Sequence, residues 1–154
     1  MEKKPLHVEN FANKRDLQHI EEMGLTSSEL LGILASFDQY GVWRLDLAAG
    51  QVYWSRDTFL IHGMEPHDGP VDFHAALTAY HPEDSQTLAT LIDETIANKS
   101  GFRFVLRLRS GDCRYKLVKS IGTYRIREDG AEEIVGTFSK FAMAMRSIAV
   151  ADAA

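Results

Sequence analysis

Residues 101–109 read Gly-Phe-Arg-Phe-Val-Leu-Arg-Leu-Arg, and their alternation decides the class of fold. Phe102, Phe104, Leu106 and Leu108 point one way, while Arg103, Val105, Arg107 and Arg109 point the other. Side chains of a strand alternate between the two faces of a sheet, so this strand has one buried face and one mostly polar face. Gly111-Asp112 supplies a turn, and the run from Arg114 to Ile126 follows as a second strand. Glu128-Asp129-Gly130 turns the chain again into Ile134-Val135-Gly136-Thr137-Phe138. The stretch reads as an antiparallel meander whose inner face is rich in Phe and Leu. Such a surface suits the back of a small-molecule or signal pocket better than a catalytic loop.

Upstream, Thr26-Ser27-Ser28 followed by Glu29 is a helix start, since hydroxyls cap the first amides and an acid suits the first turn. Leu30, Leu31, Leu34 and Phe37 then fall at helical spacing, a stripe that needs a partner. Gly41 opens a strand from Val42 to Leu47, Ala49-Gly50 turns it, and Val52-Tyr53-Trp54 returns. Arg56 to His62 reads as a short helix stopped by Gly63, and Phe73 to Tyr80 as another beyond a Gly/Pro loop. His81-Pro82-Glu83-Asp84 starts the longest helix, with Pro at a first helical position and two carboxylates facing the helix dipole. Leu88, Leu91, Ile92, Thr95 and Ile96 form its apolar stripe.

The expected layout is a polar arm over residues 1–25, an amphipathic helix over 26–38, one α+β domain over 39–141 and an Ala/Met-rich tail over 142–154. Strand pairs at both ends of the domain, with helices between them, unite into a five-stranded antiparallel sheet covered by helices on one face.

Composition narrows the function. With 154 residues the chain fits a single domain, and a net charge of −5 disfavours whole-molecule attraction to nucleic acid or anionic membrane. Cys113 is the only cysteine, which excludes an intramolecular disulfide and any multi-cysteine metal site. No apolar run approaches the roughly 18 residues that span a bilayer. The charged Glu2-Lys3-Lys4 is not followed by a signal segment, and a cytoplasmic location is expected.

The element order, with these residues, resembles a PAS domain over roughly residues 41–138. Gly41-Val42-Trp43-Arg44-Leu45-Asp46 and Gly50-Gln51-Val52-Tyr53-Trp54-Ser55 look like the family's first hairpin with its paired tryptophans. His81-Pro82-Glu83-Asp84 is similar to the His-Pro-x-Asp helix start of one large subclass, and the meander resembles the closing three strands. The resemblance implies a sensory or regulatory module of a bacterial signalling pathway, without catalytic turnover. It implies action through a signalling partner such as a sensor kinase, as a homodimer. Where many relatives carry an Asp-Ile-Thr type ending, this chain reads Ser139-Lys140-Phe141. That departure favours docking of a separate partner over pull on an attached effector, and the chain is expected to be either a stand-alone protein or a domain cut from a longer one, the former being favoured.

The resemblance also locates a pocket. Trp43, Trp54, Phe59, Tyr80, Phe104, Leu106, Leu108 and Phe138 are expected to converge between sheet and helices. They form either a ligand site or a filled core, since each large apolar side chain stabilises the fold by roughly 1.5–3 kcal/mol when buried and needs no ligand. Leu30, Leu31, Leu34, Phe37, Val105 and Arg107 are the candidate dimer or partner surface, with Val118 and Phe141 as further receivers for the helix.

No cofactor is expected, with haem or flavin as the alternative. The Asn-Cys-Arg motif of flavin photoreceptor relatives is absent, and Cys113 falls in a turn. His62, His67, His74 and His81 lie in the helical half, where haem-binding relatives take an axial ligand. Each has a plainer role at a helix end or in a loop, and their spacing matches no zinc pattern. Arg103, Arg107, Arg109, Arg114, Lys116 and Lys119 read as a solvated strand face, or else as a surface for an acidic partner. A second class of function is a small cone-shaped α/β enzyme, which would need long helices ahead of its sheet.

Overall fold

The computed structural model describes residues 7–11, 15–142 and 150. The stretches 1–6, 12–14, 143–149 and 151–154, which include most of the arm's start and the Ala/Met-rich tail, lie outside the described residues.

The expected five strands are present as β2 (Tyr40–Asp46), β3 (Gln51–Trp54), β5 (Gly101–Arg109), β6 (Tyr115–Ile126) and β7 (Glu132–Lys140). Two more join them. β1 (His7–Phe11) pairs with β5, and the two-residue β4 (Val71–Asp72) pairs with β3. All neighbours are antiparallel, in the order β1-β5-β6-β7-β2-β3-β4. The arm thus supplies an edge strand at a place where its own sequence carries no clear pattern. Backbone pairing with β5 needs no apolar alternation, so periodicity could not reveal it.

The helices α2 (Arg56–Ile61), α3 (Phe73–Thr78) and α4 (Pro82–Asn98) sit between the two strand groups. Strands ahead of the helices rule out the cone-shaped alternative. The helices cover the face bearing Leu45, Val52, Phe102, Phe104, Leu106, Leu108, Ile134 and Phe138, all buried. Leu88, Leu91 and Ile92 of α4 complete this core, as their spacing predicts. Val118 belongs to it as well, fully buried opposite Leu106, and so is not an outer receiver.

Two glycines make the first hairpin pack. Gly122 and Gly136 lie opposite each other on β6 and β7, and Trp43 lies opposite Gly136 on β2. The Trp43 indole rests over both, stacked against Phe102 with ring centroids 6.0 Å apart. Its Nε1–H donates to Ser120 Oγ at 3.0 Å and to the Thr137 carbonyl at 3.1 Å. A large ring can lie flat on the sheet only where the strands beneath carry no Cβ.

The His81-Pro82-Glu83-Asp84 motif has a role beyond starting α4. His81 caps the helix, its Nδ1 accepting from the Glu83 amide at 3.1 Å. The segment before it runs along the free half of β5: Arg109 N donates to Ala79 O at 2.9 Å, and His81 N to Arg107 O at 3.0 Å. Asp84 finishes the edge by accepting from the Arg107 amide at 2.8 Å and from its guanidinium at 2.8 and 3.0 Å. β5 is thus covered by β1 along one half of its length and by this motif along the other.

Arg107 is therefore not a free docking residue, because its charge is committed to Asp84 and, at 3.4 Å, to Glu83. Burial alone would raise the Asp84 carboxyl, but hydrogen bonds from the Arg107 side chain and amide outweigh it and hold the pKa below the ordinary value. Asp84→Ala is expected to cost about 2 kcal/mol, less than a fully buried pair because Arg107 is half-exposed. A depressed folded-state pKa stabilises above the unfolded value of about 3.9 and is lost as pH falls through the folded value. Urea melts should show the gap between wild type and variant at neutral pH and its closure in acid.

Helix α1 (Ser27–Leu34) begins on a capping box, in which Thr26 and Glu29 each accept from the other's amide at 3.1 Å. It ends at Leu34, so Phe37 lies beyond it. Among the described residues the stripe that needed a partner has little cover: none of its residues is buried, Leu34 is 47% exposed and Phe37 is 62% exposed.

Candidate functional site

The space between sheet and helices contains a cavity of about 60 Å³. Five of the expected pocket residues line it: Trp43, Trp54, Tyr80, Phe104 and Phe138. Phe59, Leu106 and Leu108 do not, although all three are buried. Phe59 packs beside the cavity, edge-on to Trp54 at 5.2 Å and tilted on His67 at 4.7 Å. Leu106 and Leu108 fill the core elsewhere.

Other lining residues were not singled out from the sequence. Leu45 and Phe102 follow from the alternation already used, being two residues from Trp43 and Phe104 on the same faces. Ser120 was legible only as a small residue within a long strand. From the sequence, His62 is only a candidate haem ligand and is not among the expected pocket residues. It reads as a residue beside a helix stop, yet it is the C-cap of α2 and turns into the core.

The imidazole of His62 stacks on Trp54 at 4.0 Å and on Phe138 at 4.8 Å, and meets the Tyr80 ring edge-on at 6.4 Å. Nδ1 lies 2.7 Å from the Thr58 carbonyl oxygen. A carbonyl can only accept, so Nδ1 carries the proton and Nε2 the lone pair. Burial lowers the pKa to about 4, against the opposing pull of the Thr58 hydrogen bond, with the Lys116 charge lowering it further. His62 is therefore neutral near pH 7. Tyr80 is buried, and its phenol is pushed well above the usual range by desolvation, so it remains a protonated donor.

The other cavity hydroxyls are engaged. Ser120 Oγ donates to the Thr137 carbonyl at 2.8 Å, and Thr58 Oγ1 donates to the Val42 carbonyl at 3.1 Å. Thr58 is pressed against β2 at Gly41, where an added Cβ would lie 2.0 Å from its Oγ1.

The remaining histidines have the plainer roles foreseen for them. His67 is exposed with Nδ1 2.9 Å from the Asp68 carbonyl, His74 is exposed on α3, and His81 caps α4. No group of three or more His, Cys, Asp or Glu among the described residues could hold a metal ion. Haem or flavin does not fit the cavity as it stands, because pockets for such ligands occupy roughly 300–1,000 Å³. Cys113 is exposed in its turn, with a φ of 55°.

The opposite face of the sheet carries a shallow groove lined by Val42, Arg44, Tyr53, Ile121, Val135 and Thr137 among others. Arg44 lies 4.3 Å over the Tyr53 ring, and the buried Glu133 joins Arg44 at 3.4 Å to Arg125 at 2.6 Å. Val105 is half-buried on this face beside Lys119. No described helix is long and apolar enough to cross a membrane.

No protein-family model matches the sequence, and no curated protein matches it. Solved structures do match. An RNA-binding Light-Oxygen-Voltage receptor aligns with a TM-score of 0.59 at 16% identity, over 72% of this chain and 32% of its own length, so the chain spans about a third of that protein. The N-terminal domain of a diguanylate cyclase with PAS/PAC sensor from Marinobacter aquaeolei gives 0.57 at 14% identity, over 66% of this chain and 94% of that one. A sensory box histidine kinase/response regulator from Burkholderia thailandensis gives 0.56 at 17% identity, over 70% and 81%. At such identities the likeness concerns the fold, and the fold is that of PAS sensor domains.

Proposed function

We propose that this chain is a sensory or regulatory PAS module of bacterial signal transduction that works by protein–protein interaction rather than by catalysis. A small ligand in the cavity modulates it, and its partner is a signalling protein such as a sensor kinase. The carrying observation is that one sheet separates an apolar cavity from an apolar groove. Trp43 and Trp54 take part in both, while Ile121 and Val135 face only the groove. A ligand that repacks the tryptophans acts on the scaffold that also carries the outer face.

Two substitutions test the reading. Ala76→Met on α3 narrows the cavity and is expected to change only ligand-dependent partner binding. Ile121→Glu alters the half-exposed outer face and is expected to weaken partner binding with or without ligand. Partner affinity indifferent to the outer face would remove the docking model.

The same groove supports a homodimer in which α1 of one copy lies on the sheet of the other. Residues 15–38 hold Asp16, Glu21, Glu22, Glu29 and Asp38 against the single cation Arg15, whereas Arg44, Lys119 and Arg125 lie on the outer face. Leu30, Leu31, Leu34 and Phe37 supply the apolar contacts. Leu30→Asp with Leu34→Asp is expected to yield monomers by light scattering. A dimer of unchanged affinity would exclude α1 from the interface.

A further inference from the structure

The outer face of the sheet carries a charge imbalance that the fold leaves in place. The register sets three rows of side chains across β2, β7 and β6 on this face. Val42, Thr137 and Ile121 form the first, Arg44, Val135 and Thr123 the second, and Asp46, Glu133 and Arg125 the third. Arg44 and Arg125 thus stand on the two strands that flank β7, about 10 Å apart across the sheet. Both turn inward to the buried Glu133 between them. Its Oε2 lies 3.4 Å from Arg44 Nη1, and its Oε1 accepts from Arg125 Nε at 2.6 Å. Asp46, in the same row, is taken by the Ala48 and Ala49 amides at 3.0 and 3.1 Å and forms no ion pair among the described residues.

Two guanidiniums therefore share one carboxylate, which leaves one positive charge in excess. A guanidinium has five N–H donors, and each of these two spends a single one on a described residue. Among the described residues that line the groove, Arg44 and Arg125 are the only charged ones. Thr123, between Ile121 and Arg125 on β6, adds an enclosed hydroxyl that makes no hydrogen bond to the described residues. A buried hydroxyl without a partner costs about 1–3 kcal/mol, so the groove favours an occupant that brings an acceptor. The rest of the floor is apolar, with Val42 and Ile121 exposed and Val135 half-buried.

We infer that the groove receives an acidic amphipathic segment of the signalling partner, whose apolar side chains rest on Val42, Ile121 and Val135 while one of its carboxylates is gripped by Arg44 and Arg125. The inference rests on the groove being the docking surface and adds the chemistry of what docks. Arginine suits the role because its planar fork meets a carboxylate through two parallel N–H···O bonds. Glu133 acts as a positioning residue, holding the two forks toward one point. The incoming carboxylate brings the cluster to two cations and two anions. A neutral segment would cover the guanidiniums without balancing them, and a basic one would add to the excess.

Three synthetic helical peptides with one Leu stripe, flanked by Glu, by Gln or by Lys, separate charge from apolar contact. Fluorescence anisotropy with the full chain at about 50 mM salt is expected to show the Glu peptide binding about fivefold more tightly than the Gln peptide, and the Lys peptide more weakly than either. The gap should close at about 1 M salt, where charges are screened within roughly 3 Å. Competition from α1 of a second copy lowers all three affinities alike and leaves their ratios unchanged. Arg125→Gln is expected to cut the Glu preference at least twofold, about one weak ion pair. Lys119→Gln removes the same charge from the same face outside the groove and should leave the preference intact. Equal affinity for the Glu and Gln peptides in the wild type, which depends on no variant folding, would overturn the assignment. Equal losses in Arg125→Gln and Lys119→Gln would overturn it as well. Ile121→Glu tells this failure from that of the docking reading. If Glu and Gln peptides bind equally and both weaken in Ile121→Glu, the groove stands and the acidic class is rejected. If neither weakens, the groove itself is rejected. Failure of all three peptides to bind would reject the amphipathic segment and leave the docking reading to the partner assay.

Discussion

Gly136→Ala is expected to lower stability by about 3 kcal/mol and the Tm by about 6–12 °C. The added Cβ would lie 1.9 Å from the Ile121 carbonyl oxygen, 2.8 Å from the Trp43 ring and 2.9 Å from Gly122 Cα. The first of these is backbone of the neighbouring strand, which cannot swing aside as a side chain can. Relief requires β6 and β7 to separate locally or Trp43 to leave its place over the sheet. Leaving would cost the indole its bonds to Ser120 and Thr137 and its stack on Phe102. The partner change Gly122→Ala meets only side chains, the Phe102 ring at 2.6 Å and Trp43 at 2.9 Å, and should cost less. Thermal melts followed by near-UV circular dichroism would report both stability and the Trp43 environment. Equal tolerance of alanine at both sites would refute the account of how the ring is seated.

The second large effect is a pH dependence owed to His62. Its folded-state pKa of about 4 lies below the unfolded value of about 6.5, because burial favours the neutral ring. A depressed pKa stabilises above the unfolded value and loses that contribution as pH falls through the folded one. The unfolded chain takes up a proton that the folded chain refuses, and the loss between about pH 7.5 and about pH 4.5 is roughly 2–3 kcal/mol. His62→Phe cannot titrate and retains a ring against Trp54 and Phe138. Urea denaturation across this range should show the wild type losing more stability than the variant by that amount. Parallel pH profiles would mean that His62 titrates normally, and hence is not enclosed as described.

Much of the fold was legible because it rests on short-range pattern. Alternation from Phe102 to Leu108, turns at Gly111-Asp112 and Asp129-Gly130, and the capped starts at Thr26 and His81 fix local geometry through neighbours in sequence. The paired tryptophans likewise fall in register, Trp43 opposite Trp54. Those signals determined the meander, the first hairpin and the intervening helices, and the resemblance they carry pointed to five of the cavity's aromatic residues.

Contacts between distant segments decided the rest. The β1 edge strand carries no alternation because it is held by backbone bonds to β5. Arg107 has the place of an outward residue on β5, yet the edge position lets its side chain reach Asp84 on α4. Phe59 and Leu106 are as apolar as Phe104, and only the packing of helices on the sheet determines which of them meets empty space. His62 shows the limit most clearly. Whether a histidine beside a helix-ending glycine turns outward or inward depends on a carbonyl one turn back and two rings from other strands. Sequence specifies local conformation through adjacent residues, while burial, charge state and cavity are set by groups that only the folded chain brings together.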